Sequence, residues 1–272
     1  MTTMSKVIAV ANHKGGIGKT TSTLTIGAVL ATRGLRVLLV DFDPQGSLSI
    51  AMGLEPDELP ETTYTVMRRF VHDYTPPDLG VALRTIRPNL DLLPANIDLA
   101  AAEREFVSAK RSDYILQRLL APTADAYDVT LIDCPPSLGY LTTAALTAAA
   151  GVLIPLTPQF LPARGLAKLA DVIGEVQRSE LNPSLDLTGV IFTMVRPEVK
   201  RSAAMRQTIV DYLGGHVPIL GEVHVDARVD HASEAGRPIT EYAPHTEVAR
   251  AYTQIADRLA LALGLAQTQE AL

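Results

Sequence analysis

Short, uninterrupted apolar runs alternate along this chain with longer stretches whose apolar residues recur at helical spacing. The runs are rich in β-branched residues, which is typical of strands that are buried on both faces of a sheet. These runs are Val7–Ala11, Val37–Val40, Val129–Ile132, Val152–Leu156 and Leu187–Phe192. The helical patterns are Thr20–Thr32, Leu138–Ala149, Ala163–Glu180, Ala203–Leu213 and Glu247–Leu263. Such alternation predicts an α/β fold, in which a mostly parallel, twisted sheet with right-handed crossovers carries helices on both faces.

One domain is expected to span the whole chain, residues 1–272. A chain of 272 residues can bury a sizeable core. It contains no long linker, low-complexity tract or repeat of fixed period. The stretch 54–98 is less regular, and we interpret it as an insertion in the same domain. Two candidate edge strands, 84–86 and 91–93, lie within it.

Composition narrows the classes of protein to which this chain can belong. The single cysteine, Cys134, excludes a disulfide framework and suits a reducing cytoplasm; it is expected to pack as a small buried hydrophobe. A net charge of −6 and the absence of tryptophan argue against a wholly basic nucleic-acid binder and a base-stacking platform, but allow a local basic patch. No apolar run is long enough for a signal peptide or a membrane span, which favours a cytoplasmic protein without membrane attachment.

The stretch 12-NHKGGIGKTT-21 follows the first predicted strand and runs into the first predicted helix. Its glycines allow backbone N–H groups to approach phosphate oxygens, and the helix N-terminus adds partial positive charge. Lys19 is expected to neutralise phosphate charge, and the Thr20 hydroxyl to ligate Mg²⁺. The order of strand, loop and helix predicts a P-loop nucleotide site. Its predicted residues are Lys14, Gly15, Gly16, Ile17, Gly18, Lys19, Thr20 and Thr21.

The loop departs from the strict P-loop pattern at its start. His13 stands where that pattern has glycine, and a second lysine, Lys14, follows it. A second cation near a transferred phosphoryl group can aid both binding and hydrolysis, because the charge spreads over the phosphoryl oxygens. The alternative is an exposed loop lysine without a role at the site.

Aspartates follow two of the predicted strands. Asp41 and Asp43 come directly after Val37–Val40, and strand alternation places both on the same side. Asp133 ends the run DVTLID as the acid of a Walker B strand does, where it can hold Mg²⁺ directly or through water. Ligands of parallel α/β sheets bind at the carboxyl ends of strands, so these acids are expected near the phosphates. The alternative for Asp41 and Asp43 is a solvated turn or a helix cap at Ser47.

With these residues in view, the chain resembles the ParA family of partition ATPases, within the deviant-Walker-A (MinD/ParA) group of P-loop proteins. The resemblance runs from about residue 6 to 263. The matching pieces are KGGIGKTT at 14–21, VLLVDFDPQGS at 37–47, PANIDLAAAE at 94–103, LIDCPPS at 131–137, IPLTPQF at 154–160, GVIFTMV at 189–195 and EAGRPITEYAP at 234–244.

The resemblance implies roles for the residues of the site. Lys14 matches the family's signature lysine, which reaches the phosphates of the partner subunit's nucleotide, whereas Lys19 acts within its own subunit. Asp43 matches the acid that positions or activates the attacking water. Asp41 and Asp133 match supporting acids of the magnesium shell, with Thr20 as a ligand. Thr193 and Met194 are candidates for the adenine pocket.

The resemblance also implies a function. ParA proteins form ATP-bound sandwich dimers that bind non-specific double-stranded DNA and hydrolyse ATP slowly, stimulated by a ParB-like centromere-binding partner. A cytoplasmic, nucleoid-associated protein is therefore expected. Phosphate contacts from cationic side chains would provide the DNA affinity; a solvated helix face with scattered charge is the alternative. The candidate DNA-binding residues are Arg196, Lys200, Arg201, Arg206 and Arg228.

The chain departs from the family pattern at two places, and the second lies in a loop of the adenine and DNA-binding region. Leu161 stands two residues after Gln159, where many relatives have glutamate. The sequence VHVDARVDH at 223–231 replaces the family's usual basic run and keeps only Arg228 of it.

Other functions of the P-loop class stay open. One is a MinD-like ATPase that positions a cargo other than DNA; membrane attachment is disfavoured because residues 261–272 contain no lysine or arginine. Another is a metabolic enzyme, either an ATP-dependent ligase or an iron–sulfur reductase. One cysteine is too few for the reductase, and no motif beyond the nucleotide motifs indicates a substrate pocket for the ligase.

Overall fold

An eight-stranded sheet in the order β3-β4-β2-β5-β1-β6-β7-β8 forms the centre of the molecule. The structure, a computed structural model, describes residues 5–73, 78–106, 111–158, 162–215 and 217–265, without the side chains of Asp73, Pro162, Ala163, Arg164, Lys200 and Arg201. Neighbouring strands are parallel except β3 and β4, which are antiparallel. The strands are β1 Lys6–Val10, β2 Val37–Asp41, β3 Arg84–Arg87, β4 Leu90–Leu93, β5 Val129–Asp133, β6 Gly151–Leu156, β7 Asp186–Val195 and β8 Ile219–His224.

Helices follow most strands and cover both faces of the sheet. The α-helices of the described residues are α1 Lys19–Thr32, α2 Ser47–Ala51, α3 Thr63–Asp73, α4 Ala102–Glu105, α5 Ile115–Leu120, α6 Tyr140–Ala148, α7 Pro162–Arg178, α8 Lys200–Leu213, α9 Arg228–Glu234, α10 Ile239–Tyr242 and α11 Glu247–Ala262. Within the described residues, no helix is both long enough and apolar enough to cross a bilayer.

Alternation along the strands divides the core into two layers. In β1, Ile8 and Val10 pack in the layer that α1 and α11 cover, whereas Ala9 and the following Ala11 pack in the layer formed with α3, α5, α6 and α7. The strands therefore bury both faces, as their uninterrupted apolar sequences predict. The predicted fold class, a mostly parallel α/β sheet covered on both faces, is confirmed.

The differences from the predicted elements lie at the sheet edges and in the irregular stretch. The strand β8 was not predicted from the sequence, because its burial alternates only partly and Gly221 and Glu222 interrupt its apolar pattern. Both candidate strands between 54 and 98 exist, but only β3 is an edge strand, since β4 also pairs with β2. The helices α3 and α5 were not predicted either.

A backbone contact joins the loop after α2 to the loop after α9. Gly236 has a φ of +63°, and a Cβ on it would lie 3.0 Å from the Cα of Gly53. This approach favours glycine at 236, because both the left-handed conformation and the close backbone disfavour a side chain.

We therefore expect Gly236→Ala to lower the free energy of unfolding by about 2 kcal/mol or more, from left-handed strain and the backbone clash. Denaturant unfolding of the purified protein measures this loss. Gly34→Ala is the matched control, because Gly34 has a φ of +85° but nothing within 4 Å of the added Cβ. Equal losses for the two variants would contradict the role of the Gly53–Gly236 contact.

Candidate functional site

The loop between β1 and α1 opens at the carboxyl edge of the sheet. Gly16 and Gly18 have φ angles of 65° and 83°, in the left-handed region that favours glycine. Gly18 also precedes the first residue of α1, and no side chain caps this helix N-terminus. The first N–H groups of α1 therefore point into the loop, as a phosphate site requires.

Asn12 fixes the start of this loop. Its Nδ2 donates to the carbonyl oxygen of Pro155 over 2.7 Å, and its Oδ1 accepts from the N–H of Lys14 over 3.3 Å. The next residue, His13, packs its ring against Gly165 of α7, which has no Cβ to obstruct it. Burial, together with the charges of Lys168, Lys14 and Lys19, lowers the pKa of His13 and favours the neutral ring. The histidine that replaces glycine at position 13 is thus accommodated by Gly165 on α7.

Lys19 carries a buried ammonium group at the centre of the loop. The residue is only 6% exposed, and burial lowers its pKa although the charges of Asp133 and Asp43 oppose this. Among the described residues, its Nζ donates one hydrogen bond, to the carbonyl oxygen of Lys14 over 3.2 Å. An ammonium group has three donors, so phosphate oxygens fit here as further acceptors.

Asp133 lies at the end of β5 against the first turns of α1. Its Oδ2 accepts from the hydroxyl of Thr20 over 2.7 Å, and its Oδ1 lies 3.4 Å from the hydroxyl of Thr23. The carboxyl is completely buried, and burial raises its pKa to about 7. A hydroxyl and a carboxylate on adjacent elements are the oxygen ligands that Mg²⁺ prefers, alongside water and phosphate.

Asp41 lies in register with Asp133 on the neighbouring strand. It too is completely buried, and its pKa is raised to about 8 by burial and by the charge of Asp133. The side chain is bonded to protein groups: Oδ2 accepts from the N–H and the hydroxyl of Ser49 over 2.8 and 2.7 Å, and Oδ1 accepts from the N–H of Asp43 over 3.3 Å. Its role in the magnesium shell stays a prediction.

Asp43 is half-buried in the loop between β2 and α2. Its Oδ1 accepts from the N–H of Gln45 over 3.0 Å, and its carbonyl oxygen accepts from the N–H of Gly46 over 2.9 Å. Its charge contributes to the pKa shifts of both Lys19 and Asp133, so it lies within electrostatic range of both groups.

Thr193 and Met194, the adenine candidates, have different surroundings. Thr193 is buried, and its hydroxyl donates to the carbonyl oxygen of Ile17 over 2.7 Å, so this side chain braces the P-loop. Met194 has a φ of 51° and is 42% exposed. No pattern in the sequence indicates the Thr193 contact, because it joins residues that are 176 positions apart.

The candidate DNA-binding residues are only partly brought together. Arg196 and Arg206 line one cleft at the end of β7, and Arg206 forms an ion pair with Glu222. Arg228 forms an ion pair with Asp226 over 2.6 Å, which lowers the pKa of that carboxyl. The side chains of Lys200 and Arg201, as well as Gln159 and Leu161, lie outside the described residues.

The geometry of this site fits Mg²⁺ and a nucleotide phosphate. No group of three or more His, Cys, Asp or Glu side chains in the described ranges can hold a metal by itself. This composition suits Mg²⁺, which commonly binds one or two protein oxygens plus phosphate and water. Thr20, Asp133 and the buried Lys19 provide the complementary protein groups.

The buried acids make stability depend on pH in the protein without ligand. The pKa values of Asp133 and Asp41 are raised to about 7 and about 8, above the value near 4 of an unfolded chain. Between these values the folded state binds more protons, so the free energy of unfolding falls as pH rises, by at most about 1.4 kcal/mol per pH unit for each proton. We expect Asp133→Asn to make this fall shallower, as measured by denaturant unfolding from pH 5 to 8.

Asp128→Asn is the matched control, because Asp128 precedes the same strand and its pKa is lowered by a hydrogen bond from Arg36. Its titration lies below this pH range, so the slope should not change. A slope that Asp133→Asn leaves unaltered would contradict the raised pKa of the buried pair.

Comparisons with known proteins agree with this site. The model of an AAA domain family matches residues 5–187. The sporulation initiation inhibitor protein Soj of Bacillus subtilis is 37% identical over 94% of this chain and 99% of its own length. The chromosome partitioning protein ParA of Caulobacter vibrioides is 36% identical over 92% of each chain.

A solved structure adds the ligands. Cobyrinic acid a,c-diamide synthase from Mycobacterium smegmatis, with bound ADP and magnesium, is 37% identical, covers 93% of each chain and has a TM-score of 0.79. Because the nucleotide and magnesium in that structure accompany the same fold and the donor groups here fit both, ATP and Mg²⁺ are the ligands of this chain. Sequence, fold and ligand chemistry agree, and the chain belongs to the ParA family of ATPases.

Proposed function

We propose that this protein is a DNA-partition ATPase. Its ATP-bound homodimer binds DNA without sequence preference in the cytoplasm, in association with the nucleoid, and a ParB-like partner stimulates slow hydrolysis. The observation that carries the proposal is the likeness to Soj and ParA over nearly the whole length of all three chains. The second lysine of the P-loop and the basic residues at the edge of the sheet support it.

The residues of one subunit account for nucleotide binding and orientation. The loop glycines present N–H groups to the phosphates, and the ammonium of Lys19 neutralises their charge. The Thr20 hydroxyl and the Asp133 carboxylate hold Mg²⁺, which supplies further charge neutralisation when bound. Asp43 accepts a hydrogen bond from the attacking water and orients it towards the γ-phosphoryl group.

Lys14 links nucleotide state to dimerisation in this proposal. The residue is exposed on the same loop, five positions before Lys19, and its carbonyl oxygen accepts from Lys19 Nζ. Its side chain reaches the phosphates of the nucleotide that the partner subunit holds. A cation from a second subunit makes the dimer more stable when the γ-phosphate is present, because the extra negative charge attracts it.

DNA binding in this proposal uses arginines that already have carboxylate partners. Arg206 and Arg228 would exchange Glu222 and Asp226 for DNA phosphates. The arginine side chains are 44% and 54% exposed, whereas the side chains of Glu222 and Asp226 are 28% and 13% exposed. Both arginines can therefore meet DNA phosphates at the surface, and a dimer would present each arginine twice.

A second candidate function, amide synthesis, is favoured by the likeness to the cobyrinic acid a,c-diamide synthase. Cys134 argues against the version of this reaction that releases nitrogen from glutamine through a cysteine nucleophile. It is the only cysteine, is completely buried, and its pKa is raised by burial, so the reactive thiolate is disfavoured. ADP release that depends on cobyrinic acid, with glutamine or ammonia as nitrogen donor, would favour the synthase.

Positioning of a cargo other than DNA is the remaining alternative. If that positioning takes place at a membrane, the ATP-bound protein should cosediment with anionic liposomes. We expect no more protein in the pellet with ATP than with ADP.

Lys14→Ala tests the dimerisation role. We expect ATP-dependent dimerisation and hydrolysis to fall at least tenfold, whereas the Kd of the monomer for MgADP changes less than about threefold, because Lys19 holds the subunit's own nucleotide. Analytical ultracentrifugation, turnover and ADP titration give the three values. Lys6→Ala, at the amino end of β1, controls for the lost charge. An equal loss of all three properties would assign Lys14 to its own subunit.

DNA binding is tested by titrating arbitrary duplex DNA with the ATP-bound protein across a salt series. We expect affinity to fall with salt, and Arg206→Ala or Arg228→Ala to reduce the slope of log K against log[salt] by about 1 per lost phosphate contact. Glu222→Gln should strengthen binding, because it removes the competing carboxylate. Arg33→Ala is the matched control. Arg33 directly follows the C-terminal end of α1, its side chain is 49% exposed, and it forms an ion pair with Asp257. No binding at low salt would reject the function.

A further inference from the structure

Ser49 lies at a junction of buried hydrogen bonds beside the predicted catalytic loop. The residue is completely buried in α2, six positions after Asp43. Its hydroxyl donates to Asp41 Oδ2 over 2.7 Å and accepts from the N–H of Ala95 over 3.1 Å. One hydroxyl therefore joins the end of β2 to the segment after β4.

The same carboxylate of Asp41 holds the backbone of the catalytic loop. Its Oδ1 accepts from the N–H of Asp43 over 3.3 Å, and its Oδ2 also accepts from the N–H of Ser49 over 2.8 Å. Asp41 thus connects both ends of the turn 43–49. Ser49 determines the orientation of this carboxylate, since it supplies two of its donors.

The segment after β4 closes the loop from the other side. Gly46, with a φ of 60°, lies so near this segment that a Cβ would be 2.7 Å from the carbonyl oxygen of Ala95. The hydroxyl of Thr63 lies 3.1 Å from the carbonyl oxygen of Asp41 and 3.0 Å from that of Pro94, and it can donate to either. The backbone of Pro94 and Ala95 therefore has a structural role: it contacts the loop that carries Asp43. Nucleotide chemistry alone does not explain why the sequence PAN occurs at 94–96.

We propose that Ser49 is a positioning residue for Asp43. Through Asp41 and Ala95 its hydroxyl fixes the turn that carries Asp43, so the Asp43 carboxylate meets the attacking water in one orientation. The inference rests on the proposed role of Asp43 in hydrolysis. It predicts that loss of the hydroxyl affects turnover and leaves nucleotide affinity intact, because Lys19 and the P-loop lie on a different element.

The test compares turnover, MgADP affinity and thermal unfolding of the full chain in four variants. Ser49→Ala should lower kcat about tenfold or more, with the Kd for MgADP within about threefold of wild type. Ser49→Thr keeps the hydroxyl and should restore much of kcat. Ser47→Ala removes a hydroxyl from the same helix and should leave turnover unchanged.

Asp43→Asn separates failure of the inference from failure of the role on which it rests. Wild-type turnover in Asp43→Asn would overturn the role of Asp43, and with it this inference. Loss of turnover in Asp43→Asn together with unchanged kcat in Ser49→Ala would overturn the role of Ser49 alone. A fall in kcat for Ser49→Ala that is matched by an equal loss of MgADP affinity or of folded protein would make Ser49 structural. If Ser49→Ala does not fold, Ser49→Thr provides the test, because it retains the hydroxyl. A Ser49→Thr protein with wild-type stability but without turnover would contradict the proposal.

Discussion

The burial of two carboxyl groups side by side determines much of this site. Asp41 and Asp133 end neighbouring parallel strands in register, and neither is accessible to solvent. Such a pair is unfavourable when both groups are ionised, so the surrounding chain supplies donors: Ser49 and the Asp43 backbone on one side, Thr20 and Thr23 on the other. The loop that carries Asp43 and the helix that follows the P-loop are thus both hydrogen-bonded to the same pair of acids, and Lys19 adds a nearby positive charge.

This arrangement relates nucleotide binding to the geometry of hydrolysis. The donors to Asp133 come from the helix that follows the phosphate loop, whereas the donors to Asp41 come from the turn that carries Asp43. The charge of Asp133 adds to the effect of burial and raises the pKa of Asp41 on the neighbouring strand. Binding of Mg²⁺ would favour ionised acids and strengthen both sets of hydrogen bonds.

Sequence patterns predicted the fold class, the phosphate loop and the strand ends that carry the acids, because each depends on local periodicity or on residues close in sequence. The contacts that join distant segments could not be predicted this way: Thr193 to Ile17, Ser49 to Ala95, and Gly236 to Gly53. Edge elements were also missed, since β8 is partly exposed and its apolar pattern is weak. The ion pairs Arg206–Glu222 and Arg228–Asp226 were not predicted either. The position of an acid in the sequence does not indicate which arginine it pairs with in the fold.

In the proposed dimer, two lysines of one loop act on two different nucleotides. A crystal structure with Mg²⁺ and a non-hydrolysable ATP analogue tests it most directly. We expect a two-fold dimer in which Lys19 Nζ contacts the phosphates of its own subunit and Lys14 Nζ lies within hydrogen-bond distance of the phosphates that the partner subunit holds. A structure in which Lys14 contacts only its own nucleotide, or in which the loops of two subunits do not face each other, would contradict it.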